Sequence, residues 1–320
     1  MRRLLVHPCH EAWIHQLSHL PFAVDVWATR GGRAWQWNPR VRPVPANVTL
    51  VSEGAHLHPP CAYAAIVAHS LADVVTLDEV DVPRLLMLHA PLVEAPDEVD
   101  EVADVRVATR QFLQRQRALA VANSETTARS WWADTAVLRP AIDVDRIACG
   151  VGALACGLRL VSPREGRRHI QRRDLHGRAF GGLPVTVLGH DPGMSPGMAD
   201  WTGVRTTVQA HRFVIHLADP AREDAYSVGL LEAMASGLPV VGTPHPESPV
   251  EHGVSGFLSD DPEQLRACAE QLLDDRDLAV EMGRAARETV KLRFAPAAFV
   301  DTFVRLVRRA RDRWTEEDAA

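Results

Sequence analysis

Apolar and polar positions follow each other along this chain in a repeating order. Short unbroken apolar runs, such as Ala64-Ala-Ile-Val-Ala68 and Leu85-Leu-Met-Leu88, are separated by longer amphipathic stretches. An unbroken run suits a strand covered on both faces, and the amphipathic stretches suit the helices that cover it. The pattern predicts a parallel-sheet α/β protein. In the first half, strands are expected at residues 3–7, 22–28, 64–68, 84–89 and 118–122. Around Pro140-Ala-Ile-Asp143 and residues 149–157 turn residues gather and periodicity weakens, which predicts a linker. The alternation then restarts, with strands at 158–161, 184–188, 212–217 and 239–242 and a helix entered near Ser227. The last 60 residues read as helices. In the final one Phe299, Phe303, Leu306 and Ala310 recur at spacings of three and four, the mark of a core-facing stripe, while Arg305, Arg308, Arg309 and Arg313 fill other positions. The acidic segment 94–104 reads as a solvated loop or helix face.

Length makes this a two-domain problem. A chain of 320 residues exceeds the usual single domain of about 100 to 200. With 46% hydrophobic and 24% charged residues, the composition excludes disordered, collagenous and disulfide-scaffold classes. No apolar run approaches the roughly 20 residues that cross a bilayer. The opening Met-Arg-Arg-Leu-Leu-Val-His-Pro is too short in its apolar part for a signal peptide, so a cytoplasmic protein is expected. Cys9, Cys61, Cys149, Cys156 and Cys268 form no Cys-x-x-Cys pair, which predicts reduced, mostly buried thiols. A net charge of −6, from 35 basic and 41 acidic residues, argues against nucleic acid as a partner. Lys291 is the only lysine, which removes Walker A, protein kinase and Schiff-base mechanisms.

Three motifs fail on inspection. His10 and His15 are five apart, so a regular helix puts their rings about 140° apart and they cannot chelate one ion. Gly193-Met-Ser-Pro-Gly197 matches a nucleophile elbow, but Pro196 lacks the N–H that the oxyanion hole needs after Ser195. No Gly-x-Gly-x-x-Gly follows a strand. Trp13, Trp35 and Trp37 could stack on a sugar, with packing the more ordinary use.

The informative stretch is Glu223-Asp-Ala-Tyr-Ser-Val-Gly-Leu-Leu-Glu-Ala-Met-Ala-Ser-Gly-Leu-Pro-Val-Val241. It reads as a polar loop, a helix from Ser227 with Glu232 about one turn inside, a stop at Gly237 and a new strand. A helix N-terminus above the carboxyl ends of parallel strands offers free N–H groups to a phosphate. Glu232 is placed to accept hydrogen bonds from ribose-like hydroxyls, and Asp224 to hold sugar hydroxyls. Arg159 and Arg164 lie at the first strand–helix junction of the second half, where a cationic pair suits an anion.

These residues resemble the signature of the family 4 (group 1) glycosyltransferases of the GT-B fold: two acidic residues eight apart, then Ala-Met-Ala-x-Gly-x-Pro-Val-Val. The resemblance gives Glu232 the ribose of a nucleotide and Asp224 the donor sugar, with the adjacent Glu223 as the other carboxylate that could take that place. Arg159 and Arg164 are similar to the Arg and Lys that clamp the diphosphate, and His252-Gly-Val-Ser-Gly-Phe-Leu258 to the following glycine-rich turn and strand. His89 is similar to the active-site histidine, and Asn123-Ser-Glu125 to a segment after a later strand. His69 ends its strand in the same way as His89 and is not counted in the set. Ser248 stands where an acidic residue is more frequent, and His7-Pro-Cys-His10 where a glycine-rich loop is common.

The resemblance implies two Rossmann-like domains of GT-B type: an acceptor-side domain over 1–148, a nucleotide-sugar domain over 149–295, and a C-terminal helix, 296–320, returning to the first. The catalytic set is then His89, Asp224, Arg159 and Arg164; the donor-binding set is Glu232, Tyr226, Ser227, Val228 and Gly189. The implied activity is transfer of a sugar from a nucleotide-diphosphate donor to a glycan, lipid or small-molecule acceptor. It would proceed with retention of configuration and without metal or other cofactor; peripheral membrane contact is not indicated. A sugar-nucleotide epimerase of similar fold and an inactive sugar-nucleotide-binding subunit are the alternatives.

Overall fold

The computed structural model describes residues 2–30, 33–39, 42–52, 55–76, 80–92, 99–150, 152–161, 172–189, 200–223 and 225–316. They fall into two compact units: unit 1 holds Met1–Pro39, Pro43–Pro140 and Ala297–Ala320, and unit 2 holds Arg40–Arg42 and Ala141–Pro296.

In unit 1 the strands are β1 (Arg3–Val6), β2 (Ala23–Trp27), a short antiparallel pair β3 (Thr29–Arg30) and β4 (Arg33–Ala34), β5 (Val48–Val51), β6 (Tyr63–Ala68), β7 (Arg84–Leu88), β8 (Ala118–Ala122) and β9 (Ala136–Val137). All but β3 and β4 join one parallel sheet in the order β5-β2-β1-β6-β7-β8-β9. The central strands β6 and β7 are buried at every residue, which is why they read as unbroken apolar runs. Helices α1 (Glu11–His15), α2 (Leu71–Thr76), α3 (Val99–Arg115) and α4 (Glu125–Trp131) connect them. The acidic segment is helical over residues 99–104, in α3, and residues 94–98 lie outside the described residues. Four strands went unread: the short antiparallel pair β3 and β4, the edge strand β5, whose Thr49 and Leu50 are exposed, and the two-residue β9.

Unit 2 carries a five-stranded parallel sheet in the order β11-β10-β12-β13-β14, built from β10 (Leu154–Val161), β11 (Val185–Gly189), β12 (His211–His216), β13 (Val240–Gly242) and β14 (Gly256–Leu258). Its helices are α5 (Arg173–Phe180), α6 (Trp201–Ala210), α7 (Val228–Ala235), α8 (Pro262–Asp274) and α9 (Arg276–Arg293). Phe180, Phe213, Ile215, Leu265, Leu272 and Met282 form the core on one side of the sheet. The linker expected at 149–157 is corrected in part: residues 154–157 already belong to β10. Gly157, which suggested a turn, allows close packing, for a Cβ there would stand 2.7 Å from the Phe213 ring, while Ala155 is exposed.

The final helix, α10 (Pro296–Glu316), lies in unit 1 from residue 297 on. Phe299, Phe303, Leu306 and Ala310 are buried and Arg305, Arg308 and Arg309 exposed, so the sequence stripe is the buried face. Its end is tied to unit 1 by Trp314, whose ring has the Arg84 guanidinium 5.1 Å and the Arg117 guanidinium 5.5 Å from its centre. The cysteines are all free; Cys9 and Cys156 are buried, but Cys61 and Cys149 are exposed, against the expectation of mostly buried thiols.

Candidate functional site

The expected residues divide between the units, and each group sits at the carboxyl ends of its own parallel strands. In unit 2, α7 starts after a loop with Ser227 as N-cap; the Ser227 side chain makes no capping bond and is exposed. Val228 is buried in the first turn. At the other end Gly237, at φ +80°, closes the helix: its N–H donates to the Met234 carbonyl at 2.9 Å and the Leu238 N–H to the Ala233 carbonyl at 3.2 Å. This paired closure needs a left-handed residue, the physical reason for glycine there.

Glu232 projects from α7 into a bidentate pair with Arg42. Nη1 and Nη2 of Arg42 each donate to one carboxylate oxygen at 2.8 Å, and the guanidinium lies 4.3 Å from the centre of the Trp201 ring. Arg42 is buried and belongs to unit 2 although its chain neighbours on one side do not. No sequence signal marked it, since an arginine among prolines and other arginines has no periodicity to stand out from. Tyr226 is buried too, edge-on to Phe294 at 5.0 Å, with its hydroxyl donating to Glu247 at 3.4 Å. Its side chain is thus committed to packing.

Arg159 lies inside β10 and is buried, so it is a strand residue and no part of an exposed basic loop. Burial, and then the nearby Arg173, pull its pKa down to about 10, while Glu223 opposes the fall; the guanidinium stays charged at neutral pH. Glu223 bends back into its own loop, accepting the Asp219 N–H at 3.1 Å. His216, at the end of β12, keeps a partly accessible edge although protein packs densely round its ring. That packing, then His245 and Arg159, lower its pKa to about 4. His176 of α5 falls to about 4 from burial and then Arg159. The carboxyl edge of this sheet therefore holds a buried arginine beside neutral histidines, an environment that favours an anion. Gly189 ends β11, paired with Val161. Arg164, Asp224 and the Gly193–Gly197 motif lie outside the described residues.

In unit 1, His89 follows β7 and has neighbours from both adjacent strands. The Asn123 carboxamide nitrogen, just after β8, is 3.2 Å from His89 Nδ1, and His69 Nδ1, just after β6, is 2.7 Å from His89 Nε2. Trp13, buried in α1, meets both rings edge-on, at 4.6 Å from His69 and 5.9 Å from His89. Ser124 caps α4 by accepting the Thr127 N–H at 3.1 Å, which fixes the turn presenting Asn123. His10 caps α1 through Nδ1. His7 is buried, its pKa lowered by burial against the pull of Asp73, 3.8 Å away. Among the described residues no group of three or more His, Cys, Asp or Glu could hold a metal ion, and no helix is long and apolar enough to cross a membrane.

Residues 185–275, which include α7 and the Gly237 closure, match the family described as glycosyl transferases group 1. The N-acetyl-alpha-D-glucosaminyl L-malate synthase of Bacillus anthracis is 34% identical over 87 residues, 26% of this chain and 23% of that one. The sucrose synthase of Denitrovibrio acetiphilus is 36% identical over 88 residues, 24% of this chain and 11% of its own. The chain thus spans less than a quarter of either relative. Among solved structures, Anabaena HepE in complex with UDP and glucose superposes with a TM-score of 0.71 at 16% identity, covering 96% of this chain and 99% of that one. At that identity the likeness shows the fold, which is GT-B.

Proposed function

We propose that this chain, whose residues 185–275 form a group 1 glycosyl transferase domain on a GT-B fold, moves a sugar from a nucleotide-diphosphate donor to an acceptor. The observation that carries the reading is Glu232 on α7, inside the matched residues and about one turn into the helix that follows the carboxyl end of β12. Its carboxylate would accept the ribose hydroxyls, while the α7 N-terminus with Ser227 and Val228 would take the diphosphate. Gly189 would line the same edge, and Tyr226 would serve through its backbone because its ring is packed away. Arg159, still cationic, and Arg164 would stabilise the departing diphosphate, because fixed positive charge aimed at developing negative charge lowers the barrier without any reorganisation of solvent. Asp224 would hold the donor sugar; the inward turn of Glu223 makes it the less suitable carboxylate. Unit 1, with His89, would serve the acceptor side.

The proposal includes retention of configuration, independence of metal because arginines supply the positive charge, and a cytoplasmic setting. The likeness to a UDP-bound structure makes UDP-sugars the first donors to try. The test is release of free nucleoside diphosphate from a panel of nucleotide sugars, with and without candidate acceptors. Acceptor-dependent release that survives chelator supports the reading. Conversion of the sugar nucleotide without release points to epimerisation, and binding without either reaction to an inactive subunit.

A further inference from the structure

Four adjacent strands of unit 1, in the order β1-β6-β7-β8, end on His7, His69, His89 and Asn123. Three of these side chains join in one line of hydrogen bonds: Asn123 to His89 at 3.2 Å, and His89 to His69 at 2.7 Å. The line has a direction. The Asn123 nitrogen is only a donor, so His89 Nδ1 accepts; a neutral His89 then carries its proton on Nε2 and donates it to His69 Nδ1. His69 carries its own proton on Nε2 by the same logic. Both ring nitrogens of His89 are thereby committed, and each histidine has one permitted tautomer.

We propose that Asn123 and His69 together position His89: the Asn123 N–H selects the neutral Nε2–H tautomer, and the His69 Nδ1 acceptor fixes the direction in which that N–H points. Adding a proton to either ring breaks the line. A His89 cation sets an Nδ1–H against the Asn123 N–H, and a His69 cation sets an Nδ1–H against the His89 Nε2–H. Other groups around the pair are consistent with neutrality. His10 approaches His89 at 6.0 Å between ring centres, and Trp13 meets both rings edge-on. The Asp73 carboxylate is occupied by the His69 backbone N–H at 3.0 Å and faces His7. His89 therefore presents an N–H on the side it shares with His69, and a substrate oxygen arriving there takes over the bond that His69 accepts. This consequence for turnover rests on the glycosyltransferase reading; the tautomer itself does not.

The test uses the full chain with nitrogen-15 histidine and long-range proton–nitrogen correlation spectra. In the unmodified protein His89 should show the Nε2–H tautomer at pH 7. His69→Ala should keep the Nε2–H tautomer, because Asn123 still donates to Nδ1, but release the ring from its orientation and lower kcat about 10-fold with donor KM unchanged. His69→Asn, whose side-chain oxygen replaces the Nδ1 acceptor, should restore kcat. Asn123→Ala supplies a second variant: it removes the donor to Nδ1, and His89 should then mix its tautomers. A His89 that carries its proton on Nδ1, or whose spectrum is the same in His69→Ala and Asn123→Ala, overturns the proposal. If the spectra behave as stated but no nucleotide sugar is turned over, the glycosyltransferase reading fails and the positioning role stands.

Discussion

Glu232 accepts both hydrogen bonds of Arg42 and, in the proposed reaction, those of a ribose as well. A carboxylate has about four lone-pair sites, so the two duties are compatible, with Arg42 fixing the plane in which the others point. Losing a hydrogen bond to a charged group costs about 1.5 to 3 kcal/mol. Glu232→Ala should accordingly weaken nucleotide-sugar binding about 10- to 150-fold in a folded protein; calorimetric titration showing unchanged affinity would remove Glu232 from the site. Tyr63 gives a second residue-level prediction. Its hydroxyl donates to the buried Asp25 at 2.9 Å, and burial, then that bond, push its pKa up to about 12. Asp25 stays below the usual carboxylate range, because Arg3 and Tyr63 together outweigh its burial. With two tyrosines and one lysine in the chain, the alkaline titration is simple to read. A raised folded-state pKa gives stability that is complete below about pH 10, where a free tyrosine titrates. It is lost as pH climbs through about 12. Absorbance at alkaline pH should show a late tyrosine step, near pH 12, that Tyr63→Phe abolishes; a Tyr63→Phe protein that loses a step at the ordinary value instead would contradict the network.

At the scale of elements, the end of α7 and the seat of α10 make the sharpest claims. Gly237→Ala forces a side chain into a left-handed position, at about 1 to 2 kcal/mol, and brings its Cβ to 2.7 Å from Cys149 Sγ. Urea unfolding should show a loss above that backbone range, and adding Cys149→Ala should return only the excess. Phe303 is fully buried in α10, so Phe303→Ala should cost about 3 to 5 kcal/mol of stability; a loss under about 1 kcal/mol would mean the stripe is not core. What was legible in the sequence follows from the same physics. Strands β6 and β7 stood out because both faces are buried, and α7 because its stop glycine and following strand are local signals. Strand β5 was hidden because an edge strand can expose Thr49 and Leu50, and the start of β10 because its first two residues are exposed and the glycine that makes room for Phe213 looks like a turn residue. Arg42 could not be found by any local reading, because its partner is 190 residues away; His69 showed the same strand-end position as His89, and what a local reading lacked was the contact that joins them across 20 residues.

At the scale of the whole molecule, unit 1 is discontinuous: its sheet is built from the first 140 residues and its last helix follows unit 2 in the chain. A chain ended at residue 295 should therefore keep a cooperative transition for unit 2 while the unit 1 transition drops or vanishes, since the buried face of α10 is removed. Scanning calorimetry distinguishes this from an equal loss in both units, which would argue that α10 serves them alike. The same arrangement sets a timetable during synthesis. Strands β1 to β9 leave the ribosome before any of the unit 2 sheet, yet the helix that completes their unit is made after residue 296. At about 5 to 20 residues per second the gap lasts roughly 8 to 30 seconds. For that interval unit 1 lacks the helix whose buried face belongs to it while a second sheet of similar parallel design emerges behind it, and this is when strands of one unit are most open to capture by the other or by a chaperone.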